Sequence, residues 1–234
     1  MSPAEEGTPQ GGPLSPLLSN IVLDELDREL ERRKHRFVRY ADDCNIYVRS
    51  RQAGQRGMTS VTRFLSRRLK LKVNEAKSAV ARPEERKFLG FSFSTHAEPK
   101  RRIAPKALLR CKQKIRELTQ RTRGISLEQM MKELAAYLRG WKSYFGFCQT
   151  FSLLTKLDKW IRRRLRSMIW KQWKRGKQRY AKLRHLGINR ALAAKTAGSP
   201  HGPWRLANSP ALSYALPIAY FDSLGLPRLL RGDA

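Results

Sequence analysis

RFVRYADDCNIYVRS, residues 36–50, is the stretch that sets the fold class of this chain. Phe37, Val38 and Tyr40 lead into a short polar spot, and Ile46, Tyr47 and Val48 lead out of it. Aromatic and β-branched residues on both sides of a polar reversal predict a β-hairpin with Asp42 and Asp43 at or near its turn. Adjacent carboxylates at a hairpin end are oxygen ligands for a hard divalent ion, and Mg²⁺ commonly takes one or two of them and completes its shell with water and substrate phosphate. On the dipeptide alone an ordinary solvated turn is the favoured reading of Asp-Asp, so any other meaning comes from the sequence around it.

Upstream, GTPQGGPLSPLLSN at 7–20 begins as a loop punctuated by Pro9, Gly11, Gly12 and Pro13. It then turns helical. Leu14, Leu17, Leu18, Ile21, Val22, Leu26 and Leu30 recur at three- and four-residue steps, which predicts one buried stripe. Asp24 and Asp27 fall on the polar side and read as surface charges. Downstream, a helix is predicted over about 55–70 with Val61, Phe64, Leu65 and Leu69 inward, and KFLGFSFS at 87–94 as a strand pair bending at Gly90. Strand, helix and hairpin together make an α+β first region.

Past Pro99 the pattern is helical only, which places the domain boundary near residues 98–104. One helix is predicted over about 105–122. A second starts at Ser126, which forms a capping box with Gln129 and turns Met130, Leu134, Tyr137, Leu138, Trp141 and Phe145 inward. A third covers about 152–174, with Leu153, Leu157, Ile161, Leu165 and Met168 on one side.

Charge separates the two halves. The 234 residues carry 49 Lys and Arg against 19 Asp and Glu, a formal +30. Residues 1–50 hold 7 basic and 9 acidic side chains, whereas residues 151–200 hold 15 and 1. Such a back half calls for a polyanionic partner. On the third helix Lys156, Lys159, Arg163 and Arg166 share a face with Arg162 beside them, and Lys171, Lys174, Arg175, Lys177 and Arg179 continue the run. Solvated helices usually mix signs, but here only Asp158 interrupts, so a nucleic-acid phosphate backbone is the expected ligand of this stripe. Of the interleaved aromatics, Trp141, Phe145 and Trp160 have core spacing, whereas Trp170, Trp173 and Tyr180 remain open as stacking residues.

Cys44, Cys111 and Cys148 stand too far apart for a C-x-x-C site, which argues against a disulfide framework or structural zinc. No stretch approaches the roughly 18 apolar residues of a membrane span. These features predict a soluble, cytoplasmic protein with no membrane partner.

Tyr40-Ala41-Asp42-Asp43 resembles the Y-A-D-D catalytic box of reverse transcriptases, and residues 7–18 resemble the P-Q-G-x-x-x-S-P segment that lines their nucleotide and template pocket. Leu71 to Lys77, with Asn74, is similar to the palm motif that follows, and Phe88-Leu89-Gly90-Phe91 to the primer-grip hairpin. Gly140-Trp141-Lys142-Ser143-Tyr144-Phe145, and Trp160 through Lys174, resemble domain X of bacterial group II intron proteins. By the order of these motifs the chain is identified as a member of the group II intron reverse transcriptase/maturase family.

The resemblance implies an α+β fold in which 1–98 is the C-terminal half of a reverse-transcriptase palm and 99–234 an all-α thumb and maturase region. It implies that Asp42 and Asp43 help hold two Mg²⁺ ions for RNA-directed DNA synthesis. Pro9, Gln10, Gly11, Tyr40 and Ala41 would line the nucleotide and template pocket, and Leu89 and Gly90 the primer grip. Lys77 reads either as a group near the triphosphate or as a solvated lysine. Intron RNA, target DNA and a primer–template duplex are the implied partners, and splicing assistance and intron mobility the implied roles. In relatives a further metal-binding aspartate and the fingers precede the P-Q-G segment, but here six residues precede Gly7. The expectation is therefore a truncated protein with an incomplete two-metal site, inactive as a polymerase by itself. The alternative is a non-catalytic RNA-binding splicing factor. A basic protein of ribosomal type is disfavoured by the paired polymerase motifs.

Overall fold

The computed structural model describes residues 14–95, 98–120 and 123–230. They form an α+β chain of helices and two small antiparallel hairpins, divided between Phe88 and Leu89 into two compact units.

In the first unit, α1 (Ser15–Arg32) carries Pro16 in its first turn, where a missing N–H costs no helical hydrogen bond. The predicted buried stripe is realised over only part of its length. Leu26 and Leu30 are buried, whereas Leu14, Leu17, Leu18, Ile21 and Val22 are 40% to 64% exposed. Periodicity tells which residues share a face; it does not provide the surface that covers it. The chain then pairs β1 (Arg36–Tyr40) antiparallel with β2 (Asp43–Tyr47), in a register running from Arg36 opposite Tyr47 to Tyr40 opposite Asp43. Ala41 and Asp42 are left as the two-residue turn, so the hairpin reverses at the aspartates.

The next helix, α2 (Arg51–Arg67), starts earlier than its apolar spacing suggests because the Ser50 hydroxyl accepts the Ala53 N–H at 3.2 Å. Val61, Phe64, Leu65 and Leu69 are each half-buried. A β-carbon at Gly54 would lie 2.5 Å from Val80 Cγ1, so glycine lets the later segment lie against this helix.

In the second unit, β3 (Phe91–Phe93) pairs antiparallel with β4 (Arg101–Ile103). Residues 87–94 thus turn at Leu89 and Gly90 as expected, with a single bridge residue at Phe88 before the turn, but the strand that pairs with β3 lies beyond Pro99. Leu89 and Gly90 take φ of 50° and 78° just ahead of β3. Glycine is needed twice over at Gly90, since a β-carbon there would also sit 3.1–3.2 Å from the Phe145 ring.

Three long helices follow, α3 (Pro105–Leu118), α4 (Leu127–Phe145) and α5 (Phe151–Gln172). The shorter α6 (Gly176–His185), α7 (Arg190–Ala197), α8 (Pro203–Leu206), α9 (Pro210–Ala215) and α10 (Ile218–Ser223) complete the unit. The Ser126 hydroxyl caps α4 by accepting the Gln129 N–H at 3.1 Å. Gln129 turns to Glu133 at 2.9 Å instead of reaching back, so the expected reciprocal box forms on one side only. On α4 Met130, Leu134, Leu138 and Trp141 are buried as predicted, with Tyr137 and Phe145 packed against the core from its margin. The middle of this core is α5, which buries Leu154, Leu157, Ile161, Leu165 and Met168, and also Arg162, Ile169 and Trp170. It is thus enclosed on more than the one side expected of it. No helix among the described residues is long and apolar enough to cross a membrane, and Cys44, Cys111 and Cys148 are free thiols.

Candidate functional site

The hairpin of β1 and β2 presents Tyr40, Ala41, Asp42 and Asp43 together at an exposed end. Its turn is unusual in one respect. Ala41 has φ of 51°, in the left-handed region that a β-carbon disfavours. Beneath it, Arg39 lies on the half-buried face of β1 with Phe37. The Arg39 guanidinium bonds Asp27 of α1 in fork fashion, Nε to Oδ1 at 2.8 Å and Nη2 to Oδ2 at 2.6 Å. Its remaining arm, Nη1, donates to Asn20 Oδ1 and to the Ala41 carbonyl, both at 2.9 Å.

Asp27 is therefore not the free surface charge its helix position suggests; that description holds for Asp24, which pairs with Arg28 along the exposed helix. Two signals in the sequence point to this arrangement. An arginine occupies an inward strand position, and Asn20 and Asp27 stand two helical turns apart, hence on one face of α1. Across the hairpin from Arg39, burial raises the Cys44 thiol to about 11, with Asp27 adding to the rise, so it remains protonated and is no nucleophile at neutral pH.

The two adjacent carboxylates suit an ion that brings phosphate and water as its other ligands. They do not make a protein cage: among the described residues no group of three or more His, Cys, Asp or Glu is gathered for a metal. Pro9, Gln10 and Gly11 lie outside the described residues. Lys77 sits in a separate turn, where its N–H donates to the Asn74 carbonyl at 3.1 Å and its carbonyl accepts Arg86 Nη2 at 3.3 Å; its side chain is exposed. In the second unit the Leu89 carbonyl accepts the Tyr144 hydroxyl at 2.9 Å, and the Gly90 carbonyl accepts the Ala104 N–H at 2.9 Å.

The arginines of α5 hold other parts of the protein. Arg162 is only 4% exposed; its Nη1 bonds Asp158 Oδ1 at 2.9 Å and its Nη2 faces Asp222 Oδ1 at 3.7 Å. The second oxygen of Asp158 accepts the Leu229 N–H at 3.1 Å, so this acidic interruption of the basic run ties the C-terminal segment to α5. Arg163 donates to the Trp204 carbonyl and lies 4.2 Å from the Trp204 ring centre. Arg166 donates to the Leu216 carbonyl at 2.9 Å. Arg164 bonds the Thr119 hydroxyl and the Arg116 carbonyl.

Arg162, named from the sequence as an RNA contact, is thus a buried structural group, and Arg163 and Arg166 are committed to carbonyls. Helical spacing groups them with Lys156 and Lys159 but does not show that later segments reach the part of the helix that carries the arginines. Lys156, Lys159, Lys174, Arg175 and Lys177 are exposed. Lys171 is half-buried at a cleft of about 400 Å³ that Gln120, Met130, Met168 and Gln172 also line. Arg179 is half-buried over Trp170, 4.9 Å from its ring centre.

Exposed Lys182 of α6 and Arg190 and Lys195 of α7 extend the cationic surface; their signal was the imbalance of the whole 151–200 stretch. Trp170 is buried and Trp173 and Tyr180 pack against the core, so the three aromatics left open go to packing. Trp160 is only half-buried, with Lys112 and Arg116 over its ring.

Two family models match successive parts of the chain. Residues 1–93 match the model of the reverse transcriptase (RNA-dependent DNA polymerase) family. Residues 108–187 match the group II intron, maturase-specific domain. No curated protein matches the chain.

Proposed function

This chain belongs to the group II intron reverse transcriptase/maturase family, and on that premise we propose that it binds intron RNA through its second unit and assists splicing of that RNA. The observation that carries the proposal is the succession of a reverse-transcriptase match and a maturase-specific match on one chain. The first unit is assigned to a polymerase palm, with Asp42 and Asp43 holding Mg²⁺ and its phosphate ligands, and the helices that follow to the thumb and maturase region. With the metal bound, the pair would neutralise charge on an incoming triphosphate and lower the pKa of a primer hydroxyl. Target DNA and a primer–template duplex are the further partners in this assignment, and intron mobility the further role.

RNA contact is assigned to the exposed cations Lys156, Lys159, Lys174, Arg175 and Lys177, together with Lys171. Each phosphate neutralised on a single strand contributes about −0.7 to the slope of log affinity against log salt. Replacing Lys174, Arg175 and Lys177 with Gln should therefore reduce the slope for a group II intron RNA by about two, with folding intact. An unchanged slope would remove these residues from the interface.

A second reading is favoured by the exposed lysines and arginine within the residues that match the maturase-specific domain: an RNA-binding splicing factor that does not polymerise. Primer extension on an RNA template with Mg²⁺ and deoxynucleotides separates the two. DNA synthesis lost on Asp42→Ala supports the polymerase; splicing assistance without synthesis supports the factor.

A further inference from the structure

We propose that Arg39 is a positioning residue that holds the turn between β1 and β2 in a metal-receptive shape, using Asp27 and Asn20 of α1 as its fixed footing. The inference rests on the assignment of Asp42 and Asp43 as metal-binding carboxylates and adds a group that supports them without touching the ion.

Three observations converge on one side chain. The first is the conformation of the turn: Ala41 takes φ of 51°, which an L-residue other than glycine adopts at a cost and keeps only where its surroundings hold it. The second is the bond from Arg39 Nη1 to the Ala41 carbonyl at 2.9 Å, directly on the peptide that links the left-handed residue to Asp42. The third is the fork bond of the same guanidinium to Asp27 and its contact with Asn20 at 2.9 Å. The planar guanidinium keeps its donors at fixed angles, so fixing the Asp27 edge fixes the direction of the donor that meets Ala41.

A plain helix-to-hairpin ion pair would need Asp27 and Arg39 alone. The additional bond to Ala41 brings the clamp to the one residue between Tyr40 and the aspartates, and the side chain of Arg39 is only 13% exposed, so water competes poorly for these donors. Lysine, with one nitrogen, cannot reproduce bonds to three separate groups in this geometry. Partners that orient metal ligands from behind commonly change metal affinity about ten- to hundredfold when removed.

The test uses the full chain, labelled with ¹⁵N and ¹³C, with two readouts. The backbone conformation of Ala41 is read from its Cα–Hα coupling and its intraresidue amide-to-Hα contact. Mn²⁺ binding is read from paramagnetic broadening of the Asp42 and Asp43 amides. Three variants are compared with the unaltered chain: Arg39→Lys, Asn20→Ala with Asp27→Asn, and the charge exchange Asp27→Arg with Arg39→Asp. The exchange restores an ion pair between α1 and β1 but supplies no donor to the Ala41 carbonyl. Cross-strand contacts between Arg36 and Tyr47 and between Phe37 and Ile46 report whether the hairpin is still paired.

The expected result is loss of the left-handed signature at Ala41 and roughly ten- to hundredfold weaker Mn²⁺ binding in Arg39→Lys and in the charge exchange, with cross-strand contacts retained. Retention of the Ala41 signature and of Mn²⁺ affinity in those two variants, or their full recovery in the exchange, overturns the clamp. The metal assignment is tested separately by Asp42→Asn with Asp43→Asn. Unchanged Mn²⁺ broadening there sinks that assignment, and the Ala41 signature alone then decides the clamp.

Discussion

The two units of this chain solve the problem of apolar surface in opposite ways. In the second unit α5 is covered along most of its surface, and Leu138, Leu165, Trp170 and Phe221 are almost wholly removed from water. Among the described residues of the first unit only Leu26 and Leu30 are buried hydrophobics, while Leu14, four apolar residues of α1 and four of the hairpin region, Val38, Tyr40, Tyr47 and Val48, are exposed. The apolar residues of α1 recur at the same three- and four-residue steps as those of α5. What differs is the number of elements available to cover it: among the described residues, a two-stranded hairpin, one further α-helix and a single 3-10 turn against seven α-helices, and an isolated two-stranded hairpin is a marginal structure in water. Regular apolar spacing is thus a statement about a face, and burial is a statement about the rest of the fold.

The comparison is most exposed to failure through core truncation. Leu165→Ala should cost about 2–5 kcal/mol, because the methylenes lost come from an enclosed site that cannot collapse fully. Leu17→Ala should stay within about 0.5 kcal/mol, as for an exposed position. Trp141, Trp160, Trp170, Trp173 and Trp204 all belong to the second unit, so tryptophan fluorescence in urea reports that unit, and hydrogen exchange of the α1 amides reports the other. A cost above about 1.5 kcal/mol for Leu17→Ala would mean that the α1 stripe is covered in solution. Limited proteolysis should likewise cut first before residue 100.

Next in size is the removal of one charge from inside the second unit. Arg162→Met takes the cation from Asp158 and from one oxygen of Asp222, whose other oxygen keeps Arg228, and breaking such a buried pair from one side costs about 3 kcal/mol. Adding Asp158→Asn should recover part of the loss, since the amide oxygen can still accept the Leu229 N–H. Lys159→Gln on the same helix should leave stability unchanged, because that lysine is exposed. Equal effects of the two single substitutions would show that Arg162 is not the internal strut described above.

How far the sequence led depended on whether a feature was local. The hairpin at 36–47, the start of α4 at Ser126 and the buried positions of α4 follow from residues within a turn or two of each other, and spacing alone recovers them. The α+β class follows for the same reason. The role of Arg162 was not legible, because it depends on Asp222 and on a segment that returns to α5 from the far end of the chain. The partner of β3 was misread because an internal pairing of 87–94 satisfies the same alternation as pairing with Arg101–Ile103. At the candidate site the aspartates were evident from sequence, whereas Arg39 was hidden within the strand alternation until Asp27 and Asn20 were seen to share its side of α1.

A smaller effect concerns the backbone ahead of β3. Gly90→Ala should cost about 1–2 kcal/mol through its left-handed φ of 78°, with an added contribution from displacing the Phe145 ring. Gly57→Ala is the matching control in the first unit, since a β-carbon there meets nothing within 4 Å and alanine favours the helix. Gly57→Ala should be neutral or slightly stabilising by thermal unfolding. A destabilising Gly57→Ala would again signal hidden cover on the first unit.

The smallest expected effect is a pH dependence confined to α1. Glu29 accepts from Arg32 Nε at 2.7 Å and from Arg33 Nε at 2.7 Å, and Arg33 reaches on to the Ser60 hydroxyl at 2.7 Å, so this carboxylate helps hold α1 to α2. The hydrogen bonds from Arg32 and then Arg33 lower its pKa from 4.5 to about 2. A carboxyl with a depressed folded-state pKa binds protons more readily in the unfolded chain. Its contribution is therefore fully present above the unfolded value and is lost as pH falls from about 4.5 towards 2. Protection of α1 amides should decline over that window, and Glu29→Gln should flatten this part of the decline while lowering protection at neutral pH. Arg32 is open to solvent and its attraction to Glu29 is screened by salt, so the change should shrink as ionic strength rises. An identical acid profile in Glu29→Gln would assign the loss to other carboxylates and leave the α1–α2 contact to Ser60 and the half-buried face of α2 alone.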